Sequence, residues 1–407
     1  MLRQFWRSEQ GNYAVITAIA MVPLLAGVGG AVDYAVATNE ASNLQNALDS
    51  AALVIGTQYF DGMSKDELQE IGHEYFQANL RLLHKQSTTI EYEDWKGSFD
   101  AEASGSEASF LVSVSSNVQY PGFIGGFDWP LTRTSVAAIS AGDPACVLAL
   151  NEHASKAIEV QGSTNVSMAG CVIASNSDAS DSLYRGGSAK LTAKCAIAVG
   201  DILGLSDSST NLECPAPMPK QYPSFDPLAG VEPPPYGSCK SIKGGKITAL
   251  EPGTYCNKTI SGTVTLEPGV YIFKGGKINL GGNGSLSGTG VTIFLMEDAE
   301  LSINANQLVS LSPPATGPYA GITIYQAPGN TKDLTLNGGA GSSINGFVYA
   351  PDARITYTGN SDTGSDACLR IVGDTIKMIG NSTVKSDCTN ELGGRKMYAG
   401  RVVRLVR

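Results

Sequence analysis

The chain has 407 residues, room for two or three folded units at about 150 residues each. Lys and Arg number 28 against 38 Asp and Glu, a net charge of −10, and only 16% of residues are charged. Hydrophobic residues make up 42%, which excludes wholesale disorder, and the acidic, lysine-poor composition argues against a nucleic-acid partner, which needs a basic face to neutralise phosphate.

Residues 1–12 read as a short stub carrying Arg3 and Arg7. From Tyr13 to Val32 no charge interrupts the run YAVITAIAMVPLLAGVGGAV, about the length that spans a bilayer. Arg3 and Arg7 precede the run, whereas Asp33, Glu40 and Asp49 follow it, so a single pass with the N-terminus in the cytoplasm is expected. A cleaved signal peptide competes with this reading, and Ala18-Ile19-Ala20 and Ala35-Val36-Ala37 loosely resemble cleavage sites. The run is long for a signal, however, and its helical pattern continues past Asp33, so an anchor is favoured. One helix is expected over 13–58, with Pro23 allowing a kink. Leu44, Leu48, Ala51 and Ile55 recur on one face of it. That face is assigned to a partner helix; the plainer alternative is the next segment of the same chain.

A small α+β module is expected over 59–140. Ser64 and Glu67 form a capping box that opens a second helix, with Leu68, Ile71, Tyr75 and Leu82 on its apolar side. Period-two runs follow at 88–92, 109–120 and 131–139, the signature of a half-buried sheet.

After Asp143 the texture changes to short branched runs separated by Gly, Asn and Ser. Cys146-Val-Leu-Ala-Leu-Asn151, Cys171-Val-Ile-Ala-Ser-Asn176 and Cys195-Ala-Ile-Ala-Val-Gly200 are versions of one hexapeptide. Leu250-Glu-Pro-Gly-Thr-Tyr255 recurs as Leu266-Glu-Pro-Gly-Val-Tyr271, and strands led by Gly269, Gly290, Gly321 and Gly346 repeat a branched or aromatic alternation. Short strands at such intervals without helices predict a right-handed parallel β-helix-like solenoid over 141–407, with a β-sandwich as the alternative. Residues 213–235 hold eight prolines; proline cannot donate to a ladder, so an extended strap across the solenoid is expected. The tail from Met397 reads as a capping strand with Arg401, Arg404 and Arg407 snorkelling among Val and Leu.

All eight cysteines (Cys146, Cys171, Cys195, Cys214, Cys239, Cys256, Cys368 and Cys388) lie after residue 140, dispersed and without a CxxC pair, which predicts a disulfide framework in an oxidising compartment. Strands one repeat apart lie about 4.8 Å from each other, so Cys146–Cys171 or Cys171–Cys195 is geometrically allowed. Cys239–Cys256 and Cys368–Cys388 close modest loops and are expected first. No metal or cofactor is expected. Asp178-Ala-Ser-Asp-Ser182 fits the DxSxS pattern of a von Willebrand metal site, but a turn built on Asx and Ser side chains suits its context better. Asp362 and Asp366 are the one close carboxylate pair in a loop of the repeats, the thin basis for a polysaccharide-active enzyme. Ser382-Thr-Val-Lys385 matches SxxK without companion motifs. No catalytic set emerges.

Gly11-Asn-Tyr-Ala-Val-Ile16, Pro23-Leu-Leu, Ala31-Val-Asp33-Tyr34 and Leu48-Asp-Ser-Ala-Ala-Leu53 resemble the anchor of TadE/TadG-like proteins of the Tad (Flp) pilus system. Leu-x-Pro-Gly-x-Tyr and Val348-Tyr-Ala-Pro351 are similar to the Gly-rich C-terminal half of longer TadG-like proteins. The resemblance implies a non-enzymatic inner-membrane protein with a periplasmic or surface domain. Its expected partners are the membrane, pilus-assembly proteins or pilin subunits, and cell-wall or surface glycan; an adhesin is a further alternative. Prepilin-like relatives carry Glu where this chain has Ile16, which argues against processing after Gly11.

Overall fold

The computed structural model describes residues 10–58, 64–81, 90–97, 109–121, 128–241, 249–304, 307–337, 341–358, 368–380, 383–387 and 397–406. Among them are one long helix, Gln10–Gln58, one short helix, Lys65–Asn79, and otherwise strands and turns. The chain divides into two compact units, 1–141 together with 402–407, and 142–401. The C-terminal residues 402–407 therefore belong with the N-terminal unit, not with the repeats as the sequence suggests.

In the first unit the short helix starts where expected. The Ser64 side chain accepts from the Glu67 amide while the Glu67 carboxylate accepts from the Ser64 amide, and these bonds hold the Glu67 carboxyl below the usual carboxylate range. Its buried side is Leu68, Gly72 and Phe76, whereas Tyr75 is 48% exposed, a correction by one helical step; Leu82 lies outside the described residues. Gly72 has a packing reason: a Cβ there would stand 2.4 Å from Cδ1 of the fully buried Ile55. Strands Glu91–Gly97, Ser109–Pro121 and Asp128–Ala149 form an antiparallel sheet in which the middle strand pairs with both neighbours. Val112, Val114, Leu131, Ala137 and Ile139 of this sheet close over the long helix. Val403 and Leu405 of the tail strand Tyr398–Val406 pack on the same core.

The second unit is built from parallel ladders. In one, residues 145–149 sit between Val172–Ser175 and the start of Leu369–Met378, so the last repeat lies beside the first. On one side the ladder continues to Ala196–Ala198 and Met218. On the other it passes through Gly346–Tyr357, Ile322–Gln326, Val291–Met296, Gly269–Ile278 and Gly253–Ile260 to Cys239. The long strands Gly269–Ile278 and Gly346–Tyr357 each pair by their first part with this ladder and by their last part with a second one. Together with Val291–Met296, Ile322–Gln326, Glu300–Ile303 and Leu334–Leu336 they close a ring of parallel strands. Further parallel sheets run through Thr383–Asp387, Asn165–Ala169, Lys190–Ala193 and Thr210–Leu212, and from Ala249–Leu250 to Ser343–Ile344.

Alternation sorts the first ladder into two columns. Val147, Ile173, Ile293, Ile324, Val348 and Ile371 face the main core. Ile197, Ala174, Leu148, Val372, Tyr349, Tyr325, Phe294 and Ile272 form a second apolar column on the opposite face. Both faces of these strands are thus apolar, as expected only when both are covered. The cover of the second is the proline-rich segment. Asn176 exchanges two side-chain hydrogen bonds with the Ser224 backbone (2.8 and 2.9 Å), and Tyr349 OH donates to Asp226 at 2.7 Å. Tyr325 OH donates to the Val231 carbonyl at 3.0 Å, Tyr319 OH to that of Glu232 at 3.2 Å, and the Gly237 amide to Thr254 at 3.0 Å. These contacts follow the ladder in order from its Met218 end to its Cys239 end. The traverse is about ten inter-strand steps, or roughly 48 Å, well within reach of some twenty extended residues. The proline-rich segment therefore returns the chain from one end of the ladder to the other.

Candidate functional site: the exposed half of the N-terminal helix

From Tyr13 to Val32 the large side chains of the long helix stand exposed, Tyr13 at 77%, Ile19 at 69%, Val22 at 70% and Leu25 at 63%. An apolar cylinder open on all sides is unstable in water but at home in lipid, where the backbone bonds of a helix satisfy themselves. The helix runs unbroken through Pro23, and it is the one element among the described residues long and apolar enough to cross a membrane. Asp33 marks the change. It is buried, and from it Ala37, Glu40, Ala41, Leu44, Ala47, Leu48, Ala51, Ala52 and Ile55 recur at steps of one, three and four as a single buried stripe. Arg3 and Arg7 lie outside the described residues.

The face assigned from sequence to a partner helix is taken. Leu44, Leu48, Ala51 and Ile55 are fully buried in the core of their own unit, packed with Leu68, Phe76, Ile90, Val112 and Val114. The plainer alternative holds, because the capped second helix and the sheet supply the apolar area that the stripe needs. On the flank of the stripe Asp49 accepts from Gln45 (2.8 Å) and from Ser135 (2.7 Å), tying helix to sheet. The part of this helix exposed on every side is the Tyr13–Val32 segment.

Residues 11–54 match the family of putative Flp pilus-assembly TadE/G-like proteins. No curated protein and no solved structure matches the chain. The TadE/G-like segment spans both halves of the helix, the exposed apolar cylinder and the buried stripe, and stops short of the β-rich remainder.

Other sequence candidates fall into place around it. Three disulfides join pairs of described residues, Cys146–Cys171, Cys195–Cys214 and Cys239–Cys256. The first and third agree with sequence expectation; Cys195 pairs with Cys214 at the root of the strap, not with Cys171. Cys368 is also disulfide-bonded, and Cys388 lies outside the described residues. The Asp178 carboxylate stands 3.1 Å from His153 Nδ1 on an exposed turn, and the Asp178 amide donates to the Glu152 carbonyl at 2.8 Å. No cluster of three metal-ligating side chains occurs among the described residues. Asp362, Asp366 and Ser382 lie outside them. Sequence reasoning missed the anchors of the strap, Asn176, Tyr325 and Tyr349, although Tyr325 and Tyr349 end two of the recognised glycine-led repeats. Burial raises the hydroxyl pKa of Tyr325 to about 12, and burial with the Asp226 carboxylate alongside raises that of Tyr349 further.

Proposed function

We propose that this protein is a membrane-anchored, non-enzymatic component of a Tad-type pilus-assembly system, holding a rigid β-domain outside the inner membrane. The observation that carries the reading is the coincidence of the TadE/G-like match with an apolar helix exposed on every side. Residues 13–32 sit in the bilayer, Arg3 and Arg7 keep the N-terminus in the cytoplasm, and the two units lie in the periplasm or beyond, where disulfides persist. We read the parallel ladders as successive coils of a right-handed β-helix, whose stapled repeats resist deformation and present a surface to pilus subunits or to wall glycan.

Photo-crosslinking from Ile19 or Leu25 in intact membranes tests the assignment. Capture of a pilus-assembly protein supports it; capture of lipid alone, together with normal pilus formation in a deletion strain, overturns it. A reporter inserted at Gly341 reads out the topology, and activity of a cytosolic reporter there contradicts the proposed orientation.

A further inference from the structure

The strap is bracketed by disulfides. Cys214 at its start is joined to Cys195 and Cys239 at its end to Cys256, each partner lying in or beside a ladder strand. Between Cys214 and Cys239 only Ser224 and Leu228 are buried, while Tyr222, Phe225 and Tyr236 are each at least 41% exposed. So little burial is a weak hold on a segment this long, since each ordered residue loses conformational freedom. Up to Gln221 the segment is paired with the ladder, Met218 and Gln221 sharing backbone hydrogen bonds with Ala196 and Ala198. Beyond it the bonds of Asn176, Tyr325 and Tyr349 to the strap exchange for bonds to water on release and each add little net hold. Beneath it lies the apolar column of Tyr349, Tyr325, Phe294 and Ile272, with Tyr325 stacked on Tyr349 at 4.8 Å and tilted on Phe294 at 5.1 Å.

We propose that the segment from Cys214 to Cys239 is a redox-locked strap. With both flanking disulfides formed it seals the aromatic column; with both reduced its span beyond Gln221 lifts away while the ladders persist. Each disulfide takes two electrons and two protons from one dithiol, yielding two cysteine thiols and the oxidised dithiol, so a dithiol reductant is the required co-reactant. The ladders do not depend on these bonds, because their strands are held by backbone pairing and by the separate inward-facing core.

Dithiothreitol titration of the detergent-solubilised full chain, followed by brief chymotrypsin treatment, tests this, with thiol counting to establish which bonds are open. Full reduction is expected to speed cleavage at Phe225 and Leu228 by about tenfold or more and to raise binding of a hydrophobic dye, at unchanged β circular dichroism. The variants C195S/C214S and C239S/C256S each remove one staple and are expected to give intermediate rates, and their combination to reproduce the reduced protein without reductant. Unchanged strap cleavage after complete opening of both bonds overturns the proposal. So does loss of the β signal in step with cleavage, which would make these bonds staples of the ladders themselves.

Discussion

Tyr349 sits where two influences on a phenol add. It is buried on the outward face of its strand, and the carboxylate that accepts its hydrogen bond lies on the strap. Tyr271, donating to the Leu250 and Glu267 carbonyls, and the fully buried Tyr357 are likewise held neutral by burial. Because the folded pKa values lie above the unfolded value of about 10, the corresponding stability is intact below pH ~10 and is lost as pH climbs through the folded values. Alkaline titration followed by phenolate absorbance should therefore show these tyrosines ionising only with loss of β circular dichroism, at pH about 12 or above for Tyr325. At Leu48 the physics is packing. Its side chain is fully buried, so Leu48→Ala should destabilise the first unit by about 2–5 kcal/mol in denaturant melts. Val22→Ala, in the exposed cylinder, should leave those melts unchanged. Gly204 is a backbone case: φ is +80°, an added Cβ would stand 2.0 Å from the Arg185 carbonyl oxygen, and the Gly204 carbonyl accepts from Arg185 Nε at 2.6 Å. Gly204→Ala should cost about 2 kcal/mol or more.

Among the elements, the long helix changes environment without changing conformation. Its local sequence keeps it helical throughout; what differs is whether a second surface is available to cover it. The capping box at Ser64 was legible because its two residues act within one turn, and the alternating strands were legible because period two is a local property. The partner of the Leu44–Ile55 stripe was not. An apolar face states that it must be covered and says nothing about by what, so the sheet from residues 109–139 could not be chosen over a foreign helix. The cysteines divide in the same way. Cys146 and Cys171 are equivalent positions of one repeat and lie one strand apart, whereas Cys214 leaves the repeat just before the strap, so its pairing with Cys195 depends on where the strap starts. Replacing the first pair, C146S/C171S, should cost about 3.5 kcal/mol for a 25-residue separation, measured by urea unfolding of the β-unit.

At the scale of the whole molecule the β-unit is an insertion. The first unit comprises 1–141 and 402–407, and the chain enters and leaves 142–401 at neighbouring points, where the Ala145 amide donates to the Met397 carbonyl at 2.8 Å. Joining residue 141 to residue 402 through a short turn should therefore leave the α+β unit folded and membrane-bound, as read by protease resistance and membrane fractionation. Collapse of that unit would mean that its core needs the insertion.

The apolar anchor, the helical stripe, the capping box, the repeats and the proline-rich strap are all written locally, in spacing and composition, and could be read residue by residue. The tertiary structure alone decided what covers each apolar face and which repeat stands next to which. The last repeat lies against the first, and the strap runs the length of the ladder, because pairing between strands far apart in the chain follows the complete set of edges and faces seeking cover. Local patterns report how much surface must be buried; only the assembled fold assigns each surface its partner.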